Sequence, residues 1–174
     1  MSTLNPHQLD AEALYATLLA DVKAGLAGVP DVAIVGIHSG GAWIAERLAA
    51  DLGLSARCGV LDVSFYRDDY AKKGLPADVK PTNITFDVAA ANILLVDDVL
   101  YTGRTVRAAM NELFDYGRPS RIDLAVLVDR GGRELPVAAR FFGTTVELRD
   151  NQSLNLVRDE AGRLSFTLVE KSAG

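Results

Sequence analysis

Two adjacent carboxylates end an apolar run and stand directly before a short loop rich in hydroxyl groups. The run is residues 93–96, the acids are Asp97 and Asp98, and the loop contains Gly103 before a predicted helix. In such a strand–turn–helix arrangement, the loop N–H groups and the positive end of the helix dipole can hold a phosphate. Carboxylates at the strand tip can accept hydrogen bonds from ribose hydroxyls or hold water on a magnesium ion. The stretch therefore predicts a site for a sugar phosphate.

A strand that ends in two acids also opens the receiver domains of two-component regulators, where the acids hold magnesium. Receivers place that strand near the start of the domain, with a phospho-acceptor Asp one βα unit later. Here a complete βα unit precedes Asp97 and Asp98, and Thr-Gly-Arg-Thr follows at residues 102–105. The order of these features favours the sugar phosphate over the receiver.

Two further segments each have two interpretations. The turn at residues 36–41 is either a plain glycine turn or an anion-binding loop of exposed N–H groups, and the residues alone support both equally. The charged segment at residues 66–73 is either a solvated loop or a lid that excludes water from a reaction. A lid that extends over about residues 66–87 is favoured.

The elements that must position these residues follow from the hydrophobic pattern. Asp10 is predicted to cap a helix with apolar residues at positions 14, 18, 22 and 26. Strands are predicted at 32–37, 58–65, 92–96 and 122–128, and helices at 42–52 and 105–116. Shorter strands follow at 139–143, 145–148, 154–157 and 164–169, with a turn at 159–162 between the last two. This alternation predicts one α/β domain over residues 1–174, with a mainly parallel central sheet flanked by helices.

Bulk composition restricts the classes of function. The chain of 174 residues has a net charge of −5, which argues against a broad surface for nucleic acid. No apolar run is long enough to span a bilayer, and the first ten residues lack the features of a signal peptide. We therefore expect a cytoplasmic protein, in which the single Cys58 is a packing residue rather than a nucleophile.

Three motifs together resemble one family of the type I phosphoribosyltransferases. The motif at residues 96–107 resembles the signature of the whole class, whose members bind 5-phosphoribosyl-1-pyrophosphate (PRPP). Together with the motifs at 64–69 and 126–136, it is similar to the PyrR family, whose members regulate pyrimidine operons and have uracil phosphoribosyltransferase activity. The resemblance covers about residues 9–143 and implies the type I phosphoribosyltransferase fold with a small hood at about residues 129–174.

The resemblance also implies a role for each motif residue. Asp97 and Asp98 would contact the ribose and, indirectly, Mg²⁺. Tyr66, Arg67 or Lys72 of the lid could reach the pyrophosphate, and Arg67 is counted among the candidate catalytic residues. Three further sets are implied: the 5-phosphate loop Tyr101, Thr102, Gly103, Arg104 and Thr105; the pyrophosphate loop His38, Ser39, Gly40 and Gly41; and the base-binding residues Val128, Asp129, Arg130, Arg140 and Phe141, the first three through backbone groups. The chain departs from many relatives at Gly40, where they carry Arg, and at Gly132, where RNA-binding relatives often carry His.

The implied reaction converts uracil and PRPP to UMP and pyrophosphate, with Mg²⁺ as cofactor and without a covalent protein intermediate. An alternative is a nucleotide-sensing regulator that binds RNA, which the charge disfavours because the predicted first helix is nearly devoid of basic residues. A purine or orotate phosphoribosyltransferase fits the motifs less well. The fold class also implies a homo-oligomer, a dimer or a higher assembly.

Overall fold

The computed structural model describes residues 4–63 and 82–172. Five parallel strands form the central sheet in the order β2-β1-β3-β4-β5, where β1 is Val32–Ile37, β2 is Cys58–Leu61, β3 is Asn92–Leu100, β4 is Arg121–Asp129 and β5 is Phe141–Thr145. The helices are α1 (Ala11–Gly25), α2 (Gly40–Leu52) and α3 (Arg104–Asp115). An antiparallel hairpin of β6 (Gln152–Arg158) and β7 (Leu164–Glu170) completes the chain. The predicted α/β class and parallel sheet are confirmed.

The helices cover both faces of the sheet, as the continuous apolar runs of the strands require. Side chains alternate along β3, so that Leu94 and Val96 pack with α1, α2 and the hairpin in one core cluster. Ile93 and Leu95 pack with α3 on the opposite face. Burying one such side chain contributes about 1.5–3 kcal/mol. The two cores hold β3 rigidly at the centre of the sheet.

The hairpin docks on α1 and α2 through polar as well as apolar contacts. The Leu164 N–H donates a hydrogen bond to Glu12 Oε1 at 2.9 Å, and Glu12 Oε2 forms an ion pair with Arg47 at 2.7 Å. The Arg158 guanidinium lies over the Trp43 ring, 4.8 Å from its centroid. At the same end of α1, Asp10 Oδ1 accepts the Ala13 N–H at 3.1 Å, which is the predicted cap.

Several predicted boundaries were wrong. Strand β2 ends at Leu61 instead of 65, and β3 continues to Leu100 instead of ending at 96. Helix α2 begins at Gly40 instead of 42, a start that was missed because two glycines normally indicate a turn. The two strands predicted at 139–143 and 145–148 are one strand, β5. The predicted final hairpin is confirmed.

Most of the predicted lid, including Arg67, lies outside the described residues. Its last part is anchored at the edge of the sheet. Asn83 forms an antiparallel bridge with Val60 of β2, and Thr82 Oγ1 donates to Glu112 Oε1 of α3 at 2.6 Å. Among the described residues, no helix combines the length and apolar character needed to cross a lipid bilayer.

Candidate functional site

The turns that follow β1, β3 and β4 meet at one edge of the sheet. Gly36 of β1 is in register with Val96 of β3, and Leu100 of β3 is in register with Asp129 of β4. Because all three strands are parallel, their carboxyl ends lie side by side. Ligands of open α/β sheets bind outside this edge. The predicted pyrophosphate loop, acid pair and 5-phosphate loop are therefore neighbours.

The acid pair lies inside β3, not beyond its end. Asp97 is 5% exposed and Asp98 is partly buried. Asp97 Oδ1 accepts the Asp98 N–H at 2.9 Å, and Asp98 Oδ1 accepts the Val99 N–H at 2.8 Å. These local hydrogen bonds fix the direction of each carboxylate. The two carboxylates face different neighbours: Asp97 lies beside the β3–α3 turn, and Asp98 lies against Gly40 at the start of α2.

The turn between β3 and α3 has the form expected of an anion-binding loop. Gly103 adopts φ +93, a left-handed conformation that other residues rarely adopt, and it forms the N-cap of α3 without a side-chain cap. The Arg104 N–H donates to Thr102 Oγ1 at 3.2 Å. A cavity of about 110 Å³ opens here, and it is lined by Asp97, Val99, Leu100, Tyr101, Thr102, Gly103, Thr105 and Val106. Asp97 and the loop thus share one concave surface.

The turn between β1 and α2 is pressed against β3. A Cβ added to Gly41 would lie 2.4 Å from the Val96 carbonyl oxygen, and a Cβ on Gly36 would lie 2.5 Å from the Gly41 carbonyl oxygen. Only glycine allows this approach. Gly40 and Gly41 are the first residues of α2, and Ser39 is its N-cap without a side-chain hydrogen bond. The His38 N–H donates to the Leu61 carbonyl at 2.9 Å.

Gly40 lies directly against the acid pair. A Cβ at this position would come within 2.5 Å of Asp98 Oδ2 and 3.0 Å of Asp98 Cβ. The Asp98 carboxylate therefore occupies the space into which a side chain at residue 40 would project. An Arg at this position would require a different placement of Asp98.

Residues 130–137 form a segment that follows β4 and covers the β3–α3 turn. Its anchor is Arg133, whose guanidinium donates to Asp129 Oδ2 at 2.5 Å, to the Tyr101 carbonyl at 2.7 Å and to the Val137 carbonyl at 2.9 Å. The Glu134 and Leu135 N–H groups both donate to the Thr102 carbonyl. Glu134 also forms an ion pair with Arg104 at 3.2 Å.

Arg130 and Gly132 enclose the Tyr101 ring. The Arg130 guanidinium lies 3.8 Å from the ring centroid, and its Nη1 donates to the Gln152 carbonyl at 3.1 Å. Burial lowers the pKa of Arg130 below its ordinary value. A Cβ on Gly132 would lie 2.4 Å from Tyr101 Cε1. The ring, 39% exposed, is therefore held on two sides beside the cavity.

The side chains of three predicted base-binding residues are not exposed at this edge of the sheet. Phe141 begins β5 and is in register with Ala125, well below the carboxyl end of β4. Arg140 binds Asp123 at 2.9 Å and the Gly25 carbonyl at 3.1 Å, also at the amino end of the sheet. The Val128 side chain is fully buried in the core, and its strand lies between β3 and β5. Asp129 and Arg130 alone of this predicted set lie beside the cavity.

The oxygen donors of the site suit a hard divalent cation, because Asp97 presents a carboxylate at the cavity wall and Asp98 presents a second one against Gly40. Within residues 4–63 and 82–172, no three metal-binding side chains cluster together. Magnesium commonly relies on one or two carboxylates, waters and substrate phosphates rather than on a complete protein cage. The residues present therefore fit a Mg²⁺ ion carried largely by a phosphorylated substrate.

Sequence reasoning did not assign a role to Arg133 or Glu134, although the motif at 126–136 contains both. The Arg-Gly-Gly-Arg-Glu order offers two cations and an acid, yet nothing in it shows which side chain faces the site. The partners of Arg133 and Glu134 include residues about thirty positions earlier in the chain. Such contacts depend on the parallel pairing of β3 with β4.

Comparison with known proteins agrees with this geometry. Residues 7–156 match the family model described as phosphoribosyl transferase domain, so the chain is a phosphoribosyltransferase by class. The purine phosphoribosyltransferase of Pyrococcus horikoshii has a similar structure, with a TM-score of 0.59 and 25% identity over 80% of this chain and 86% of that chain. A hypoxanthine phosphoribosyltransferase of Staphylococcus aureus shares the fold, with a TM-score of 0.60 and 18% identity over 80% of this chain and 76% of that chain.

Relatives with higher sequence identity identify the family within this class. The protein of Ralstonia nicotianae named Bifunctional protein PyrR is 53% identical over 98% of this chain and 100% of its own length. A protein of Nitrosococcus oceani with the same name is 42% identical over 98% of each chain. One of Pseudomonas aeruginosa is 44% identical over 90% of this chain and 91% of its own length. The chain belongs to the PyrR family.

Proposed function

We propose that this protein transfers the phosphoribosyl group of PRPP to uracil and releases UMP and pyrophosphate. The observation that carries the proposal is the shared cavity of the buried Asp97 and the Thr102–Gly103–Thr105 turn. A carboxylate that can bind ribose hydroxyls and a loop that can bind a phosphate are the two contacts that a ribose 5-phosphate unit requires. The choice of uracil is supported by membership of the PyrR family.

Catalysis in this proposal relies on positioning and electrostatics. The β3–α3 turn holds the 5-phosphate, and the start of α2 receives the pyrophosphate. Asp97 and Asp98 hold the ribose hydroxyls and stabilise the positive charge that develops at the anomeric carbon as its bond to pyrophosphate breaks. The attacking uracil nitrogen approaches from the opposite face. Bound Mg²⁺ would supply charge neutralisation of the leaving oxygens.

The base is placed next to Tyr101 and Arg130. Uracil offers a flat face and an imide edge, so that an aromatic or guanidinium plane and a few backbone hydrogen bonds are sufficient to bind it. The stacked pair supplies such planes beside the cavity. Arg140, Phe141 and the Val128 side chain are left out of the proposed pocket because of their positions in the sheet.

The decisive experiment measures UMP formation from uracil, PRPP and Mg²⁺, with hypoxanthine and orotate in parallel reactions. We expect turnover with uracil. The double variant Asp97→Asn/Asp98→Asn should lose at least about a hundredfold in kcat, the scale for loss of an electrostatic contact in the transition state. Turnover of hypoxanthine or orotate in preference to uracil would refute the base assignment. Undiminished activity of the double variant would refute the role of the acids.

A second candidate function, regulation of pyrimidine genes through RNA that responds to bound UMP, is supported by the word "bifunctional" in the relatives' name. The same pocket would then serve as a nucleotide sensor. The charge of the chain counts against extensive phosphate contacts, since α1 carries Lys23 as its one basic residue. The charge therefore places this function second.

A further inference from the structure

The peptide oxygens of four consecutive residues at the β3–α3 turn all accept hydrogen bonds. The Leu100 carbonyl accepts the Arg130 N–H at 3.0 Å, and the Thr102 carbonyl accepts the N–H groups of Glu134 at 2.9 Å and Leu135 at 3.1 Å. The Tyr101 carbonyl accepts from Arg133 Nη1, and the Gly103 carbonyl accepts the Arg107 N–H of α3. Three of the four are therefore held by residues 130–137.

This pattern determines where the N–H groups of the turn point. In a trans peptide the carbonyl of one residue and the N–H of the next point in opposite directions. Fixing the carbonyls of residues 100, 101 and 102 toward residues 130–137 thus turns the N–H groups of residues 101, 102 and 103 to the other side. The described residues that line the cavity include Tyr101, Thr102 and Gly103 and none of residues 130–137. The N–H groups accordingly face the side on which the phosphate is proposed to bind.

Arg133 is the side chain on which this arrangement depends. Its guanidinium joins the end of β4 through Asp129, the end of β3 through the Tyr101 carbonyl, and its own segment through Val137. Both oxygens of Asp129 are engaged, Oδ2 by Arg133 and Oδ1 by the Gly131 N–H at 2.9 Å. The Asp129 carboxylate is thereby directed to Arg133 and its own segment rather than outward to a base.

We infer that Arg133, oriented by Asp129, is a positioning residue that sets the peptide groups of the 5-phosphate loop. The inference deepens the proposed function and rests on it. It reassigns Asp129 from contact with the base to support of the loop. Loss of the guanidinium frees the Tyr101 carbonyl, lets the Tyr101–Thr102 peptide rotate and removes one N–H from the phosphate.

The test compares the KM for PRPP with the KM for uracil in variants of Arg133. Arg133→Gln should raise KM for PRPP about tenfold or more, the scale expected when a positioning contact is lost, and leave KM for uracil close to that of the wild type. Arg133→Lys should show most of the same defect, because an ammonium cannot reproduce the fork that meets several acceptors. Arg121→Gln is the matched control, since Arg121 also pairs with a carboxylate of β4, at 3.1 Å from Asp123, but at the opposite end of the strand.

Binding of ribose 5-phosphate, measured by calorimetry, provides a readout that does not require turnover. It should weaken in Arg133→Gln by a factor similar to the change in KM for PRPP. If Arg133→Gln does not fold, the same measurements are made on Arg133→Lys and Asp129→Asn. The effects of Asp129→Asn and Arg133→Gln should be non-additive, because the two side chains act as one unit.

The outcomes separate the inference from the proposed function. A wild-type protein that neither binds ribose 5-phosphate nor forms UMP would refute the function itself. An active wild type whose Arg133 variants raise KM for uracil and spare KM for PRPP would overturn the inference in favour of a base-binding role. Unchanged kinetics in Arg133→Lys would show that charge alone is needed and would also overturn it.

Discussion

Because residue 40 has no side chain, the Asp98 carboxylate can lie directly against the start of α2. Gly40 opens α2, and the Asp98 carboxylate lies where its Cβ would be. The start of a helix carries a partial positive charge, so the approach of Asp98 is electrostatically favourable. It also places the acid pair next to the loop proposed to receive the pyrophosphate.

We predict that Gly40→Ala lowers kcat/KM for PRPP by about tenfold or more, because the methyl group displaces Asp98 from its position. Helix propensity alone would favour the alanine by about 1 kcal/mol, so thermal stability should not fall in proportion to activity. Steady-state kinetics and thermal unfolding on the same protein check this. Ala50→Gly, at an exposed position of α2, is the control for helix propensity. Full activity of Gly40→Ala would show that Asp98 adjusts freely.

Residue roles could be predicted from the sequence where one local motif contains them. Asp97, Asp98 and Gly103 lie within seven residues of one strand–turn–helix unit, and the motif directly implies their proximity. Arg133 could not be assigned in this way, because its partner Tyr101 is brought near only by the pairing of β3 with β4. For the same reason Arg140 was predicted to bind the base, whereas its side chain lies at the amino end of the sheet. Its sequence distance from Asp129 does not reveal that the chain returns to the amino end of the sheet before β5.

At the scale of elements, the hairpin β6–β7 is attached to α1 by one carboxylate. Glu12 accepts the Leu164 N–H and pairs with Arg47. The hydrogen bond from Arg47, and next the one from Leu164, lower the pKa of Glu12 below its ordinary value of 4.5. A lowered pKa in the folded state stabilises the fold above the unfolded pKa. That stabilisation is lost as the pH falls through the folded value.

We predict that Glu12→Gln destabilises the protein by about 1 kcal/mol at pH 7, a value reduced for partial exposure of the pair. Between pH 5 and about pH 3.5, the free energy of unfolding should fall more steeply for the wild type than for Glu12→Gln. Urea titrations over this range measure both. Glu160→Gln, in the exposed hairpin turn, is the control. Parallel pH profiles of wild type and Glu12→Gln would contradict the assigned linkage.

Element types could be read from the sequence more reliably than element ends. The apolar runs of β1, β3 and β4 and the capped α1 have clear signals, and the structure contains each of them. The end of β3 was missed because Asp97 and Asp98 have low strand propensity, whereas pairing with β4 continues through both to Leu100. Tertiary pairing overrode the local preference. The start of α2 was missed because two glycines normally indicate a turn.

At the scale of the whole molecule, the charge balance bears on the second function. The chain has 23 acidic and 18 basic residues. Affinity for single-stranded RNA grows with the number of phosphates that lysine and arginine neutralise, and each contact steepens the salt dependence. Because acidic residues outnumber basic ones, the chain has no excess of cations for such contacts.

We predict that any binding of pyrimidine leader RNA in the presence of UMP has a slope of log K against log salt no steeper than about −2, equivalent to about three phosphate contacts. Filter binding between about 50 and 200 mM KCl measures the slope, and an RNA of the same composition in scrambled order is the control. A slope of about −5 or steeper for the leader RNA, but not for the scrambled RNA, would indicate a basic groove on the protein and raise the regulatory function to first rank.

The segment at residues 130–137 constrains how this protein can change its substrate over evolution. Arg130 lies beside the proposed base pocket, and residues 133–135 of the same segment hold carbonyls of the turn proposed to bind the sugar phosphate. A mutation there that alters base preference also disturbs affinity for the substrate common to every phosphoribosyl transfer. New base specificity therefore has to arise through paired substitutions that restore the turn, and single-site libraries in this segment should yield inactive proteins more often than redirected ones.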